Sequence, residues 1–189
     1  FVYKNVGIDE LFAVMRSTLA GYCTFPKPPE SIFSGTAALV LLGHGPADPA
    51  IISDYQPPKH RCAFAGSIKG ITFVDDSKGT NVAATVTAMS SLKGSKITIL
   101  GGQGKGEDYA PLAEAVLKYA KSAVLVGAEK KKIASALDAA GYVSYTIVST
   151  MEEAVEKAYR NAVPGDTVLL SPACTSWDMY PNYGARGDH

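Results

Sequence analysis

The sequence predicts an α/β fold, with a mostly parallel, Rossmann-like sheet flanked by helices. From residue 60 onward, apolar runs of strand length alternate with helical patterns of about 10 to 13 residues. This alternation is typical of βαβ units, whose strands lie parallel in one sheet. The chemically unusual residues directly follow predicted strands, at the edge where sheets of this kind bind ligands.

Six strands are predicted. They are residues 62–66, 71–75, 96–100, 122–126, 144–148 and 167–170. The first two strands flank a turn at residues 67–70, so we expect them to form a hairpin. The third strand has an apolar sequence that indicates burial, and it ends at the pair Gly101-Gly102.

Four helices are predicted between these strands. They are residues 81–92, 110–120, 130–140 and 150–162. An alanine-rich sequence favours the first helix, and Leu112 and Val116 are spaced as on one face of the second. Gly141 closes the third, because glycine readily adopts the left-handed conformation that follows many helices. Thr150 and Glu153 have the spacing of a capping box, which marks the start of the fourth.

The composition excludes several classes of function. The 189 residues contain 18 Lys plus Arg and 18 Asp plus Glu, and this neutral balance argues against a broad nucleic-acid-binding face. The longest apolar run, residues 36–42, is far shorter than the ~20 residues that cross a membrane. The histidines are scattered and the cysteines form no cluster, so we expect no metal site. Three cysteines without a disulfide pattern favour a reducing, cytoplasmic location.

A proline-rich segment divides the chain into two parts. The segment QPPK at residues 56–59 is expected to be a rigid linker, because proline fixes its backbone φ angle. We therefore predict one unit at residues 1–56 and a second at residues 57–189. The chain begins with Phe and ends with RGDH without a stop signal, so we expect it to be a piece of a longer protein.

Three loops after predicted strands carry the candidate site residues. Loop A is residues 75–81 (DDSKGTN), loop B is residues 101–108 (GGQGKGED), and loop C is residues 171–180 (SPACTSWDMY). The helix that follows loop A offers free N–H groups and a positive dipole end to an anion. The glycines of loop B allow a ligand to approach the backbone, with Lys105 as a cation. Loop C offers the Ser176 hydroxyl among small residues.

Each loop also has a purely structural interpretation. Loop A can be a helix cap with solvated charges, and loop B a flexible turn, since it does not fit the Walker A pattern. Loop C can be a tight turn into a C-terminal helix, with Trp177 and Tyr180 as packing residues. Cys174 can be a reactive thiol or a small buried residue. Because all three loops follow strands of one sheet, a shared site is the better interpretation.

The loop sequences resemble those of the Mur ligases. DDSKGTN at residues 75–81 is similar to the family's (N/D)DSKATN motif, and GGQGK at residues 101–105 to the GGxxK segment that follows it. LSPACTSWD at residues 170–178 is similar to LSPACAS-x-D, continued by NY at 182–183 and RG at 186–187. PKHR at residues 58–61 is similar to the PHR that opens the same domain. These motifs occur in the family's order and spacing.

The resemblance implies a fold and an activity. Residues 57–189 would be the C-terminal domain of a Mur ligase, and residues 1–56 a remnant of the central ATPase domain. The motifs are most like those of members that add D-glutamate to UDP-N-acetylmuramoyl-L-alanine, using ATP and Mg²⁺ through an acyl phosphate. The chain would then belong to a cytoplasmic enzyme of peptidoglycan precursor synthesis, expected to be a monomer, without nucleic-acid or membrane partners.

The resemblance also implies roles for eight residues. Lys105 and Ser176 would hold one carboxylate of D-glutamate, and Thr80 and Tyr183 would line the other. On the nucleotide side the family motifs place four residues. Asp76 and Lys78 would face the ribose and base of ATP, Arg61 would reach its phosphates, and His60 would lie at the hinge.

The sequence has no Walker A segment, so we assign no catalytic residue to this chain and expect it to be inactive by itself. The Mg²⁺ ligands would lie mainly in the central domain of such a ligase. Two alternatives stay open. One is another Mur or folylpolyglutamate-type ligase, and the other is a non-catalytic binding module of the same fold.

Overall fold

The structure is a computed structural model that describes residues 58–189, and within them six strands and five helices build one layered domain. The strands are β1 (Ala63–Ile68), β2 (Ile71–Asp75), β3 (Lys96–Gly101), β4 (Ser122–Val126), β5 (Tyr145–Ile147) and β6 (Thr167–Leu170). The helices are α1 (Val82–Ser91), α2 (Ala110–Tyr119), α3 (Lys130–Ala139), α4 (Met151–Asn161) and α5 (Tyr183–Asp188).

The strands form one sheet in the order β1-β2-β6-β3-β4-β5. Only β1 runs antiparallel to its neighbour, through the predicted hairpin with β2, and the other neighbouring strands pair in parallel. Lys69 and Gly70 turn the hairpin with φ angles of 50° and 79°, as a two-residue turn between twisted strands requires. The predicted fold class, a mostly parallel sheet flanked by helices, is confirmed.

Helices cover both faces of the central strands. Residues of β3 alternate between the faces, so Ile97 and Ile99 pack with Ala154 and Ala158 of α4. On the opposite face lies Leu100, which is fully buried like the core residues of α2 and α3. Burial on both faces explains why the central strands are almost continuously apolar, without the alternation of a half-exposed strand.

The helix boundaries follow their predicted capping residues. The Asn81 side chain accepts a hydrogen bond from the backbone N–H of Ala84, which caps α1. At the start of α4, Thr150 Oγ1 accepts from the N–H of Glu153, and the Glu153 carboxylate accepts from the N–H of Ser149. The predicted N-cap at Thr150 is therefore confirmed, whereas the return bond from Glu153 goes to the N–H of Ser149, one residue before the N–H of Thr150 that a capping box uses.

The structure differs from the sequence prediction most in the bounds of two strands. Strand β1 spans Ala63–Ile68 where residues 62–66 were predicted, so the hairpin turn is shorter than the predicted 67–70. Strand β5 has three residues where five were predicted, because it lies at the sheet edge and pairs only with β4. Helix α5 follows loop C, as the structural interpretation of that loop anticipated. The unit predicted at residues 1–56, and with it the linker at 56–57, lies outside the described residues. Within residues 58–189, no helix is long and apolar enough to cross a membrane.

We expect the Thr150→Ala variant to lower the free energy of unfolding by about 1 kcal/mol, because one N–H group of α4 loses its acceptor. Urea unfolding followed by circular dichroism measures the change. Thr150→Ser keeps the hydroxyl and is the matched control, which should stay within a few tenths of a kcal/mol of the wild type. Equal losses in both variants would mean that the methyl group, and not the cap, stabilises the domain.

Candidate functional site

Loops A, B and C lie side by side at one edge of the sheet. They follow β2, β3 and β6, and β6 lies between the other two strands in the sheet. Because these strands are parallel, their carboxyl ends meet at the same edge. The prediction that the three loops share one location in the fold is therefore confirmed.

Backbone hydrogen bonds join loops B and C directly. Gln103 and Thr175 exchange two N–H···O bonds of 2.9 Å each, and the N–H of Gly101 donates to the carbonyl of Pro172 at 2.8 Å. A side chain at Gly101 would lie 1.9 Å from the carbonyl oxygen of Val126, and one at Gly102 would lie 2.2 Å from that of Thr175. The first two glycines of loop B are thus required by neighbouring backbone, and the part that contains Lys105 stays exposed.

Asp76 of loop A is an internal acceptor. It is 3% exposed, and its two carboxylate oxygens accept from Ser171 Oγ at 2.6 Å and from the N–H of Cys62 at 3.2 Å. Burial raises the pKa of this carboxyl from 3.8 to about 6, partly opposed by the bond from Ser171. Both oxygens thus hold loop A to loop C and to Cys62, just before β1, and the role of Asp76 toward a nucleotide ribose or base stays a prediction.

The amino terminus of α1 is already partly occupied. The N–H of Val82 donates to the carboxylate of Glu107 at 2.8 Å, and Asn81 accepts from the next turn. An acidic side chain from loop B therefore uses one of the groups that the sequence suggested for a bound anion. Sequence analysis missed this contact, since nothing local links residues 25 positions apart.

Three predicted site residues, His60, Lys78 and Tyr183, lie together beside Asp75. The Nδ1 atom of His60 lies 2.6 Å from Asp75, the His60 ring meets Tyr183 edge to face at 6.3 Å, and the His60 carbonyl accepts from the N–H of Lys78 at 2.9 Å. The ammonium of Lys78 lies 5.5 Å from the centre of the Tyr183 ring, within cation–π distance. A side chain at Gly187 would collide with His60, so this glycine lets α5 approach.

Arg186, a buried residue of α5, joins loops A and C through hydrogen bonds. Its guanidinium is 1% exposed and donates to the hydroxyl of Ser77 at 2.9 Å, the carbonyl of Ser77 at 2.8 Å and the carbonyl of Cys174 at 3.1 Å. Ser77 in turn donates to the carbonyl of Tyr183. The sequence contained Arg186 only as part of the RG pair, and its central position comes from the fold.

Loop C has mixed roles. Cys174 is buried beside the Tyr109 hydroxyl at 3.3 Å, and burial raises the pKa of its thiol to about 11, which favours the interpretation as a buried, unreactive residue. Asp178 accepts from the N–H of Ala128 and ties loop C to the end of β4. Trp177 is 65% exposed, so its structural interpretation as a packing residue is wrong for this domain.

The groups left for a ligand are cations and hydroxyls. Lys105 is exposed, Arg61, Lys78 and Thr80 are half-buried, and the Ser176 hydroxyl is buried without a hydrogen-bond partner. Among residues 58–189, no three acidic, histidine or cysteine side chains are grouped closely enough to hold a metal ion. Cations and hydroxyls of this kind are suited to bind an anion through charge-assisted hydrogen bonds.

The fold is thus that of an α/β domain whose three candidate loops lie at one sheet edge. The family model "Mur ligase, glutamate ligase domain" matches residues 60–174. The chain therefore belongs to the Mur ligase family.

Among proteins of known name, the chain is similar to ligases that share one name. The chain is 46% identical over 151 residues to the UDP-N-acetylmuramoylalanine–D-glutamate ligase of Bordetella avium, covering 80% of the chain and 29% of that protein. It is 49% identical over 131 residues to the enzyme of the same name from Natranaerobius thermophilus, covering 69% and 28%. The chain thus spans less than a third of the length of these relatives.

Solved structures share the fold at low identity. A folylpolyglutamate synthase from Mycobacterium tuberculosis has a TM-score of 0.58 at 14% identity, over 83% of this chain and 38% of that one. A UDP-N-acetylmuramate-alanine ligase from Thermotoga maritima has a TM-score of 0.54 at 16% identity, over 77% and 34%. They establish the architecture of the domain independently of its sequence.

The buried carboxyl of Asp76 predicts an unusual dependence of stability on pH. The folded domain keeps the proton up to about pH 6, whereas the unfolded chain releases it near 3.8. The contribution of Asp76 to stability is therefore present below pH 3.8 and is lost as pH rises through 6, by on the order of 3 kcal/mol.

We expect Asp76→Asn, which cannot ionise, to gain in free energy of unfolding relative to the wild type as pH rises from 4 to 7. Urea unfolding at half-unit pH steps gives the profile, and Asp138→Asn, which removes an exposed carboxylate of α3, is the control. A constant difference between Asp76→Asn and the wild type over this range would contradict the raised pKa.

Proposed function

We propose that the chain is the amino-acid-binding domain of an ATP-dependent ligase that adds D-glutamate to UDP-N-acetylmuramoyl-L-alanine, in peptidoglycan precursor synthesis. The observation that carries this proposal is the convergence of loops A, B and C at one sheet edge, with Lys105 exposed, Thr80 half-buried and the buried Ser176 hydroxyl without a hydrogen-bond partner. The relatives at 44–49% identity, which are named as D-glutamate ligases, support it.

D-Glutamate carries two carboxylates, so its pocket needs cations and hydrogen-bond donors. We propose that Lys105 and Ser176 hold one carboxylate, since they lie on the joined loops B and C and are free of internal partners. Thr80 and Tyr183 would line the other, on the side of loop A and α5. The exposed Lys105 supplies charge, and the unpartnered Ser176 hydroxyl supplies an O–H donor without first breaking a bond.

The nucleotide would lie on the side of His60. We propose that Arg61 and Lys78 face ATP, with the Arg61 guanidinium toward its phosphates and His60 at the hinge of the domain. Asp76 would serve this site by fixing loop A, and it reaches a ribose or base only by exchanging one of its internal bonds. Mg²⁺ would serve the ATP of the whole ligase, but residues 58–189 do not fit a metal site, and we derive no step from it.

The chemistry proposed for the whole ligase is acyl transfer. ATP phosphorylates the substrate carboxylate, the amine of D-glutamate attacks the acyl carbon, and phosphate leaves from the tetrahedral intermediate. The part of this chain is to bind and orient the amino acid and to exclude water, since water would hydrolyse the acyl phosphate. We assign no bond-making or proton-transfer step to a residue of this chain.

Two alternatives make different predictions. A folylpolyglutamate-type or other Mur ligase would share the fold but add a different amino acid. A non-catalytic binding module would keep the site without ligation, and substitution of Lys105 would then leave the activity of the whole protein unchanged.

We further propose a cytoplasmic, monomeric enzyme without nucleic-acid or membrane partners.

A chimera tests the amino-acid specificity. Residues 58–189 replace the matching segment of the Bordetella avium ligase, and phosphate release is measured with UDP-N-acetylmuramoyl-L-alanine, ATP and each of several amino acids. We expect D-glutamate to be required, and Lys105→Met in the chimera to raise the KM for D-glutamate by about 100-fold through loss of a charge-assisted bond. Lys131→Met, on the exposed side of α3, is the control. Phosphate release with another amino acid only would refute the proposal.

The 189-residue chain alone should bind but not ligate. We expect no product from the purified chain with ATP, UDP-N-acetylmuramoyl-L-alanine and D-glutamate, because the phosphate-cradling loop of such ligases does not occur in its sequence. Chromatographic detection of UDP-linked product is the measurement, with the Bordetella avium ligase as the positive control. Turnover by the isolated chain would contradict the assignment of catalysis to other domains.

A further inference from the structure

Arg186 is a buried cation without a counter-ion in the described part of the chain. Among residues 58–189, no carboxylate lies within 4 Å of its guanidinium, and its three hydrogen bonds go to one hydroxyl and two backbone carbonyls. The remaining nitrogen, Nη1, is buried and makes no hydrogen bond. A buried charge is costly unless it is paired, so this arrangement needs an explanation.

The nearest acidic groups are already committed. Asp75 and Asp178 interact with the Arg186 charge over a longer distance, but Asp75 is held by His60 and the N–H of Ser77, and Asp178 by the N–H of Ala128. Tyr180 and Cys174 also face the guanidinium, and both are neutral near pH 7 because burial raises the pKa of each. The positive charge of Arg186 is therefore only partly balanced within residues 58–189.

The guanidinium of Arg186 lies where the backbones of loops B and C meet. Nη2 donates to the carbonyl of Cys174, two residues before Ser176, and Nη1 lies 3.1 Å from the position that a side chain on Gly102 would occupy. The hydroxyl of Ser176 is likewise buried and unpartnered. Two buried donors without hydrogen-bond partners are thus associated with loop C, Ser176 within it and Arg186 through its bond to Cys174.

We propose that Arg186 is a specificity-determining residue whose missing counter-ion is a carboxylate of the amino-acid substrate. The carboxylate is the one held by Lys105 and Ser176, so this inference rests on the proposed function. Because its guanidinium is buried, Arg186 acts on the carboxylate by its charge and not by direct contact, and its hydrogen bonds also position loops A and C. A neutral amide in place of that carboxylate would leave the buried cation without a counter-ion, and it would therefore bind less well.

Kinetics of the full-length ligase that contains this chain separate charge from loop positioning. The readout is the ratio of kcat/KM for D-glutamate to that for its two neutral amides, D-glutamine and D-isoglutamine. We expect Arg186→Met to reduce the preference over one of the amides by roughly tenfold to a hundredfold, the effect of losing one nearby charge in a protein site. Arg186→Lys keeps the charge but loses the planar guanidinium and its hydrogen bonds to loops A and C. It should therefore lower kcat/KM for all three substrates by the same factor and leave the preference for D-glutamate unchanged.

One control variant and two contrary outcomes distinguish failure of this inference from failure of the proposed function. Arg160→Met removes an exposed arginine of α4 and should change neither rate nor preference. Equal losses for D-glutamate and both amides in Arg186→Met would show that Arg186 only positions the loops, which overturns the inference. A wild-type ligase that does not use D-glutamate at all would instead overturn the proposed function.

A second measurement uses the wild-type ligase and so does not depend on whether a variant folds. The ¹⁵N signal of the Arg186 side chain is followed in the wild-type ligase during titration with D-glutamate. We expect a shift of this signal that saturates together with the backbone signals of loops B and C. Shifts of the loop signals without any response of Arg186 would overturn the inference, and the absence of any response to D-glutamate would overturn the proposed function with it.

Discussion

The guanidinium of Arg186 holds hydrogen bonds to Ser77 and to the carbonyl of Cys174, so one side chain fixes loops A and C at the same place. Its three bonds come from a planar group with fixed donor directions, which a flexible lysine could not reproduce. The neighbouring backbone has no room for a side chain at Gly102, where a methyl group would collide with the carbonyl of Thr175. The geometry of the candidate site depends on this arginine and on the absence of a side chain at Gly102.

The loops contain acidic and basic residues that end up in different roles. Their buried or bridging carboxylates serve the domain itself: Asp76 accepts from Ser171, Glu107 caps α1, and Asp178 accepts from Ala128. Lys105 is left exposed, and Arg186 is left without a neighbouring carboxylate. The carboxylates of these loops are thus engaged in hydrogen bonds within the domain, whereas the ammonium of Lys105 makes none.

This division of charge suits a domain that binds an acidic amino acid for another part of the protein. The domain belongs to the Mur ligase family and spans less than a third of its named relatives. Among its described residues, no three acidic, histidine or cysteine side chains are grouped closely enough to hold a metal ion. The hydrogen bonds of the buried Asp76 and Arg186 tie loops A and C together without a ligand, and loops that are ordered before binding lose little entropy on binding.

The sequence by itself determined the class of fold, the hairpin, the capping residues Asn81 and Thr150, and the family to which the loops belong. These features depend on local patterns, such as helical spacing and side chains that bond to backbone within a few residues. Only the tertiary structure decided which loop residues stay available. Asp76 was predicted to face a nucleotide and is an internal acceptor, and Arg186 had no predicted role and is central. The reason is physical: burial and long-range hydrogen bonds depend on strands brought together from distant positions, and no local pattern records them.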